Sequence, residues 1–192
     1  MTGKEFVELI TKDPSWCASL KKPLEITTCA DLGSSPITHL SPLLTFTGKD
    51  REIVANFTYC KNLKVATGTF KGTAYFGQSG IEKIENLLVE TTKQSVASSF
   101  YLCKNLKVAT GSFSGIVIFN ESGVTTIKDL TIKKPENHHR FEKASFKGCP
   151  IKYVPKEYRG NEFSFDKEIV KNSVLRDITI KEIKSEANNI EI

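Results

Sequence analysis

The stretch CKNLKVATGTFKG at Cys60–Gly72 returns as CKNLKVATGSFSG at Cys103–Gly115. Sliding the chain on itself by 43 residues also superposes Phe57 on Phe100, Phe70 on Phe113, Phe76 on Phe119, Ser79-Gly80 on Ser122-Gly123, Ile84 on Ile127 and Leu87 on Leu130. Agreement at so many places excludes chance. A catalytic centre needs each of its groups once, whereas a stack of repeats needs the same residues many times. The duplication therefore constrains the fold before it says anything about chemistry.

A period of 43 is long for one turn of a stack, and a shorter template lies inside it. Phe57-x2-Cys60-x2-Leu63-x-Val65 has the spacing of Ile81-x2-Ile84-x2-Leu87-x-Val89, and the template recurs at Phe100, Val124 and Ile37. Markers at Leu24, Leu43, Leu63, Leu87, Leu106, Leu130, Ile151 and Ile178 are then separated by 19, 20, 24, 19, 24, 21 and 27 residues. Such steps lie in or near the 20–29 residue range of leucine-rich repeats. The Ile151 unit, FKGCPIKYVP, is one residue short between Cys149 and its expected strand.

F-x-x-C-x-x-L, a short β-branched strand, G-x-F-x-G and a second I-x-x-I-x-x-L together resemble the BspA-like branch of leucine-rich repeats, over roughly Leu24 to Ile180. The second half-repeats depart from that pattern, with Ser-Gly-Ile/Val where the branch more often has Phe and Cys. The expected fold is a strand-dominated α/β leucine-rich-repeat solenoid of about seven to eight turns, with one parallel sheet and a short helical N-terminal cap. The expected division is a cap over 1–22, the solenoid over 23–181, and a polar tail or edge strand over 182–192.

In such a stack the inward residues form ladders that exclude water jointly. Leu63, Leu87, Leu106 and Leu130 are expected to form one, and Val65, Val89, Val108 and Ile132 the next. Phe70, Phe76, Phe113 and Phe119 are expected to fill the side of the coil away from the strands. Asn62, Asn86, Asn105 and Asp129 precede the marker leucines, where short polar side chains hold turns. Glycines beside the aromatic positions mark tight turns, and no phosphate-cradling motif stands in context.

Cys60, Cys103 and Cys149 share one template position, alternating there with Leu40, Ile84 and Ile127. Two turns separate Cys60 from Cys103, roughly 10 Å at the usual strand spacing, whereas a disulfide tolerates Cα separations only to about 7 Å. These thiols are expected to be small buried hydrophobes. Cys17 and Cys29 lie outside the ladder, and no C-x-x-C pair exists for zinc.

Thr2-x-x-Glu5 reads as a capping box opening a helix with Phe6, Leu9 and Ile10 on one face, and Asp13-Pro14 starts a second short helix or turn carrying Trp16 and Leu20. No apolar run is long enough to span a bilayer and the N-terminus lacks a signal-peptide core, so the chain as written is expected in the cytoplasm, or outside the cell if a leader was trimmed. The formal charge of +5, from 27 basic against 22 acidic residues, weakly favours acidic partners.

The row pointing away from the core within each strand is expected to comprise Glu25, Leu44, Lys64, Leu88, Lys107 and Thr131, followed by Lys152 or Tyr153 and by Thr179. The resemblance implies that this face binds partners. Lys61, Lys64, Leu88, Lys104, Lys107 and Thr131 are the candidate contact residues, with Lys64, Leu88 and Lys107 as a basic-apolar-basic stripe. Another protein is the expected partner; an anionic polymer, polysaccharide or nucleic acid, is the alternative. Enzymatic chemistry is poorly supplied: beyond His39 the histidines are the adjacent pair His138-His139, and no cofactor or metal is expected.

Overall fold

The computed structural model describes residues 1–48, 52–91, 96–133, 143–160 and 162–188. Helix α1 (Gly3–Lys12) begins with the capping box: the Thr2 hydroxyl accepts from the Glu5 amide at 3.2 Å and the Glu5 carboxylate accepts from the Thr2 amide at 2.7 Å. Phe6 and Ile10 are buried, while Leu9 is only partly so. A 3₁₀ turn at Trp16–Ser19 follows, and the Phe6 ring meets Trp16 at 6.2 Å and Phe46 at 5.6 Å, both edge-on. The N-terminal segment thus lies over the first strands.

The strands are β1 (Leu24–Ile26), β2 (Ala30–Asp31), β3 (Leu44–Phe46), β4 (Ile53–Asn56), β5 (Val65–Phe70), β6 (Thr73–Tyr75), β7 (Lys83–Glu90), β8 (Val96–Ser99), β9 (Val108–Ser114), β10 (Ile116–Ile118), β11 (Thr126–Lys133), β12 (Ala144–Ser145) and β13 (Phe163–Ser164). They form two parallel sheets, not the single sheet expected. The first runs β1-β3-β5-β7-β9-β11 and the second β2-β4-β6-β8-β10-β12-β13. The chain alternates between them from β1 to β12, laying one strand in each per circuit, and β13 then follows β12 within the second sheet. The extra sheet comes from segments read as the strandless side: Thr-Ala-Tyr after Gly72 and Ile-Val-Ile after Gly115 are short and β-prone.

The first circuit leaves the second sheet at Leu32 and every later one at an aromatic. Phe57, Phe76, Phe100, Phe119, Phe146 and Phe165 stack with neighbouring centroids 5.0–5.2 Å apart and ring planes within 10°. From the first sheet, Phe46 stacks on Phe70 at 4.7 Å, and that register continues as Val89, Phe113 and Ile132. Rings of the two ladders meet edge to face, as Phe70 does with Phe76 at 5.8 Å. Phe70, Phe76, Phe113 and Phe119 are core, as expected.

This ladder corrects the phase of the half-repeat. Phe57 is equivalent to Phe76, not to Ile81, because Val65 pairs with Lys83 and Phe70 with Val89. Leu63, Leu87, Leu106 and Leu130 are all buried but form no single rung. Leu63 and Leu106 lie in the corners before β5 and β9, while Leu87 and Leu130 sit opposite Gly68 and Gly111 within the first sheet. Val65 is only partly buried and Val108 is 38% exposed, so neither is the inward rung expected. Their copies in β7 and β11 are Lys83 and Thr126, polar residues on the same outward positions.

Asn86 and Asp129 also separate from Asn62 and Asn105. One residue of β5, Thr67, faces two of β7, Glu85 and Asn86, and the same irregularity recurs between β9 and β11. Asn86 (φ 48°) and Asp129 (φ 50°) take the left-handed conformation this bulge requires, which Asn and Asp tolerate best among residues with a side chain.

Towards the C-terminus the expected strands fail. Ile151 is buried but lies outside any strand, because Pro155 cannot donate to a ladder and the chain turns through a 3₁₀ segment at Lys156–Tyr158. Ile178-x-Ile180 and the start of the expected tail belong to helix α2 (Lys167–Asn188). Arg159 fastens this helix: its guanidinium donates to Asp177 at 2.7 Å and to the Val154 carbonyl at 2.8 Å, while the Tyr153 hydroxyl donates to Asp177 at 2.9 Å. Among the described residues no helix is long and apolar enough to cross a membrane.

Candidate functional site

The outward row of the first sheet, exposed at its two ends and half-buried between them, follows from its register. Glu25, Thr45, Thr69, Leu88, Ser112 and Thr131 are successive partners across six strands. Leu88 and Thr131 are therefore brought onto one row, with Ser112 between them. Lys64 and Lys107 are not on it: they end the corners that precede β5 and β9, and Leu88 pairs with Thr69 and Ser112. The expected basic-apolar-basic stripe does not form. Thr45, Thr69 and Ser112 escape an alternation counted over Leu63-x-Val65, because the strand proper begins at Val65.

The four lysines gather along the corner between the sheets. Lys64 pairs with Glu82 at 2.8 Å, both half-exposed, which contributes little stability but neutralises part of the face. Its copy Lys107 meets Thr125 where Lys64 meets Glu82, and donates at 3.4 Å to the Lys104 carbonyl. Lys61 donates to the Gln78 carbonyl at 2.5 Å, and Lys104 repeats this on the Glu121 carbonyl.

Where the β7 bulge opens, a recess of about 310 Å³ lies between His39, Asn62, Lys64, Thr67, Glu85 and Asn86. The His39 Nδ1 is 2.8 Å from the Thr38 hydroxyl, and Lys83 stands 4.0 Å from Glu85. Leu40, Pro42 and Val65 line this recess together with groups of both charge signs and neutral amides, which suits an amphipathic side chain from a partner better than a bare anion.

The repeat thiols are structural. Each lies three residues after a ladder aromatic, and the circuits between carry serine there, so the order is Ser35, Cys60, Ser79, Cys103, Ser122, Cys149; it does not alternate with leucine and isoleucine. Cys60, Cys103 and Cys149 donate to the carbonyls of Leu32, Phe76 and Phe119 in the previous circuit at 3.0, 3.0 and 2.9 Å. Burial pushes all three thiols up, Cys60 to about 11, and pushes Cys17 up to about 12. None of Cys17, Cys60, Cys103 and Cys149 is in a disulfide, and thiols this hard to ionise are poor nucleophiles. His138 and His139 lie outside the described residues.

Comparison with family models, with curated proteins and with solved structures finds no match to this chain.

Proposed function

We propose that the chain is a leucine-rich-repeat solenoid acting as a non-catalytic scaffold, which binds another protein through the exposed face of its first sheet. The observation that carries this reading is the six-strand row Glu25–Thr45–Thr69–Leu88–Ser112–Thr131, with one apolar residue near its centre and the mixed-charge recess beside it. Protein interfaces are built in this way, as a small apolar anchor inside a polar rim. The repeat thiols support the non-catalytic part, since each is committed to a carbonyl inside the core.

The lysine reading has less support. Lys64 is ion-paired, and Lys61 and Lys104 are directed onto carbonyls of the neighbouring circuit. The deciding experiment is affinity capture with wild type against Leu88→Asp and Thr69→Arg variants that melt normally. Loss of specific captured proteins from the variants is the expected result, and an unchanged captured set would sink the assignment of this face. A steep loss of binding between low and moderate salt would instead point to a polyanion.

A further inference from the structure

On the corner between the two sheets, each circuit places one residue in the left-handed region: Ser34, Tyr59, Gln78, Leu102, Glu121 and Gly148. Backbone bonds stack these corners, as from the Tyr59 amide to the Gly77 carbonyl at 3.0 Å and from the Gln78 amide to the Tyr101 carbonyl at 2.7 Å. Two tyrosines project from this line, Tyr59 at 47% and Tyr101 at 38% exposure. Each phenol meets the corner residue of the following circuit: Gln78 Nε2 donates to the Tyr59 Oη at 2.8 Å, and the Tyr101 Oη donates to Glu121 Oε1 at 3.4 Å. A lysine flanks each pair, Lys61 on the Gln78 carbonyl and Lys104 on the Glu121 carbonyl, with Lys61 also 5.7 Å from the Tyr59 ring centre.

The two composites are equivalent although the tyrosines are not. A shift of 43 takes Gln78 to Glu121, but it takes Tyr59 to Leu102 and Thr58 to Tyr101. The aromatic has moved one position along the chain and kept its partner. Core packing does not require this, since both rings stand outside the core.

We infer that this ridge, Tyr59–Gln78–Tyr101–Glu121, binds an extended β-linked hexose polysaccharide. The tyrosines lie two circuits apart, roughly 10 Å at the ordinary strand spacing, so the ridge offers two ring platforms in line and calls for an extended ligand with apolar faces at about that interval. A tyrosine ring offers an apolar face for the C–H face of a sugar and a polar tip for its hydroxyls. Amide, carboxylate and ammonium groups alternate along the ridge and supply donors and acceptors of both kinds. The hydrogen-bonded corners hold the rings in place beforehand, which lowers the entropy lost on binding. A single-stranded nucleic acid fits less well, because it needs a positive groove beside its stacking platform and here Glu121 sits on the ridge itself.

The test is calorimetric titration of the full chain with cellohexaose, chitohexaose and cellobiose. At least one hexasaccharide is expected to bind, with cellobiose ~10-fold or more weaker because it cannot engage both tyrosines. Tyr59→Ala with Tyr101→Ala should weaken the hexasaccharide ~10-fold or more without shifting the melt, and the paired Phe variants should keep most of the affinity. Gln78→Gly, at a backbone position glycine favours, serves as a second variant and should also weaken it. The inference falls if neither hexasaccharide binds at millimolar concentration, or if binding ignores the tyrosine and Gln78 changes. Leu88→Asp should leave sugar binding intact, which separates this site from the sheet face.

Discussion

Replacing Gly123 by alanine would place a methyl carbon 2.0 Å from the Lys104 carbonyl oxygen, 2.8 Å from its carbon and 3.1 Å from the Leu106 carbonyl oxygen. These are backbone atoms of the preceding circuit, so no side chain can swing aside. Relief requires that circuit to retreat by more than roughly 1 Å, in an interior packed as tightly as a crystal. The retreat would break the bond from the Gly123 amide to the Cys103 carbonyl, now 3.0 Å. Overpacking costs about 1–3 kcal/mol and an orphaned buried amide about 1–3 kcal/mol more, giving about 2–6 kcal/mol together. For a chain of this length that is a fall of roughly 4–24 °C in melting temperature. Gly160→Ala is the control: no described atom lies within 4 Å of its added carbon, and its melt should move by no more than about 2 °C. The assay is thermal unfolding followed by circular dichroism. If Gly123→Ala melted with the control, the circuits would not be stacked as closely as this geometry requires.

Leu106→Asp should prevent folding, since it buries an unpaired charge at a cost of about 3–5 kcal/mol, whereas Val108→Asp, two residues on, should fold and melt near wild type; expression and melting of the pair check this. In native protein Cys17, Cys60, Cys103 and Cys149 should fail to react with an aromatic disulfide reagent at pH 8 and should all titrate after denaturation; rapid reaction of any of the four would contradict their burial. Hydrogen bonds from Arg159 and Tyr153 hold the Asp177 carboxyl below the usual range. A lowered native value means stability present above the ordinary carboxylate range and lost as pH falls through and below it, below about pH 4. The stability difference between wild type and Asp177→Asn, measured as helical signal against temperature, should be constant at neutral pH and shrink in acid; a difference that grew in acid would reverse the sign.

The period of 43 was legible from residues that must be identical in both copies to fit the same neighbours, such as Phe57/Phe100 and Gly80/Gly123. The inner phase was not. Ile81-x2-Ile84-x2-Leu87 mimics Phe57-x2-Cys60-x2-Leu63 in spacing, yet the equivalence that packing enforces is Phe57 with Phe76, because rings stack only at matched heights. Aliphatic spacing is a poor guide here, since leucine fills a corner (Leu63) as readily as a rung (Leu87). The lysines were visible as unabsorbed polar residues, but their direction depends on contacts in the next circuit, with Gln78 and Glu121, which one strand's alternation does not reveal. The residues Thr45, Thr69 and Ser112 are each the one before a core aromatic, Phe46, Phe70 or Phe113, and counting the strands back from those aromatics finds them.

The circuits differ in their freedom to change length. In the second sheet the steps from Asn56 to Tyr75, Ser99 to Ile118 and Ser145 to Ser164 are all 19 residues, while Ala30 to Ala55, Tyr75 to Ser99 and Ile118 to Ser145 are 25, 24 and 27. Tight circuits carry cysteine where long ones carry serine, and in two of the long ones a glycine follows, set against the carbonyl of Lys61 or Lys104. The heritable module is therefore a couplet, one fixed line and one elastic line, and this protein can lengthen or shorten only by whole couplets. Excising 43 residues from Phe57 to Ser99 should leave a shorter protein whose new seam is already written in the old one.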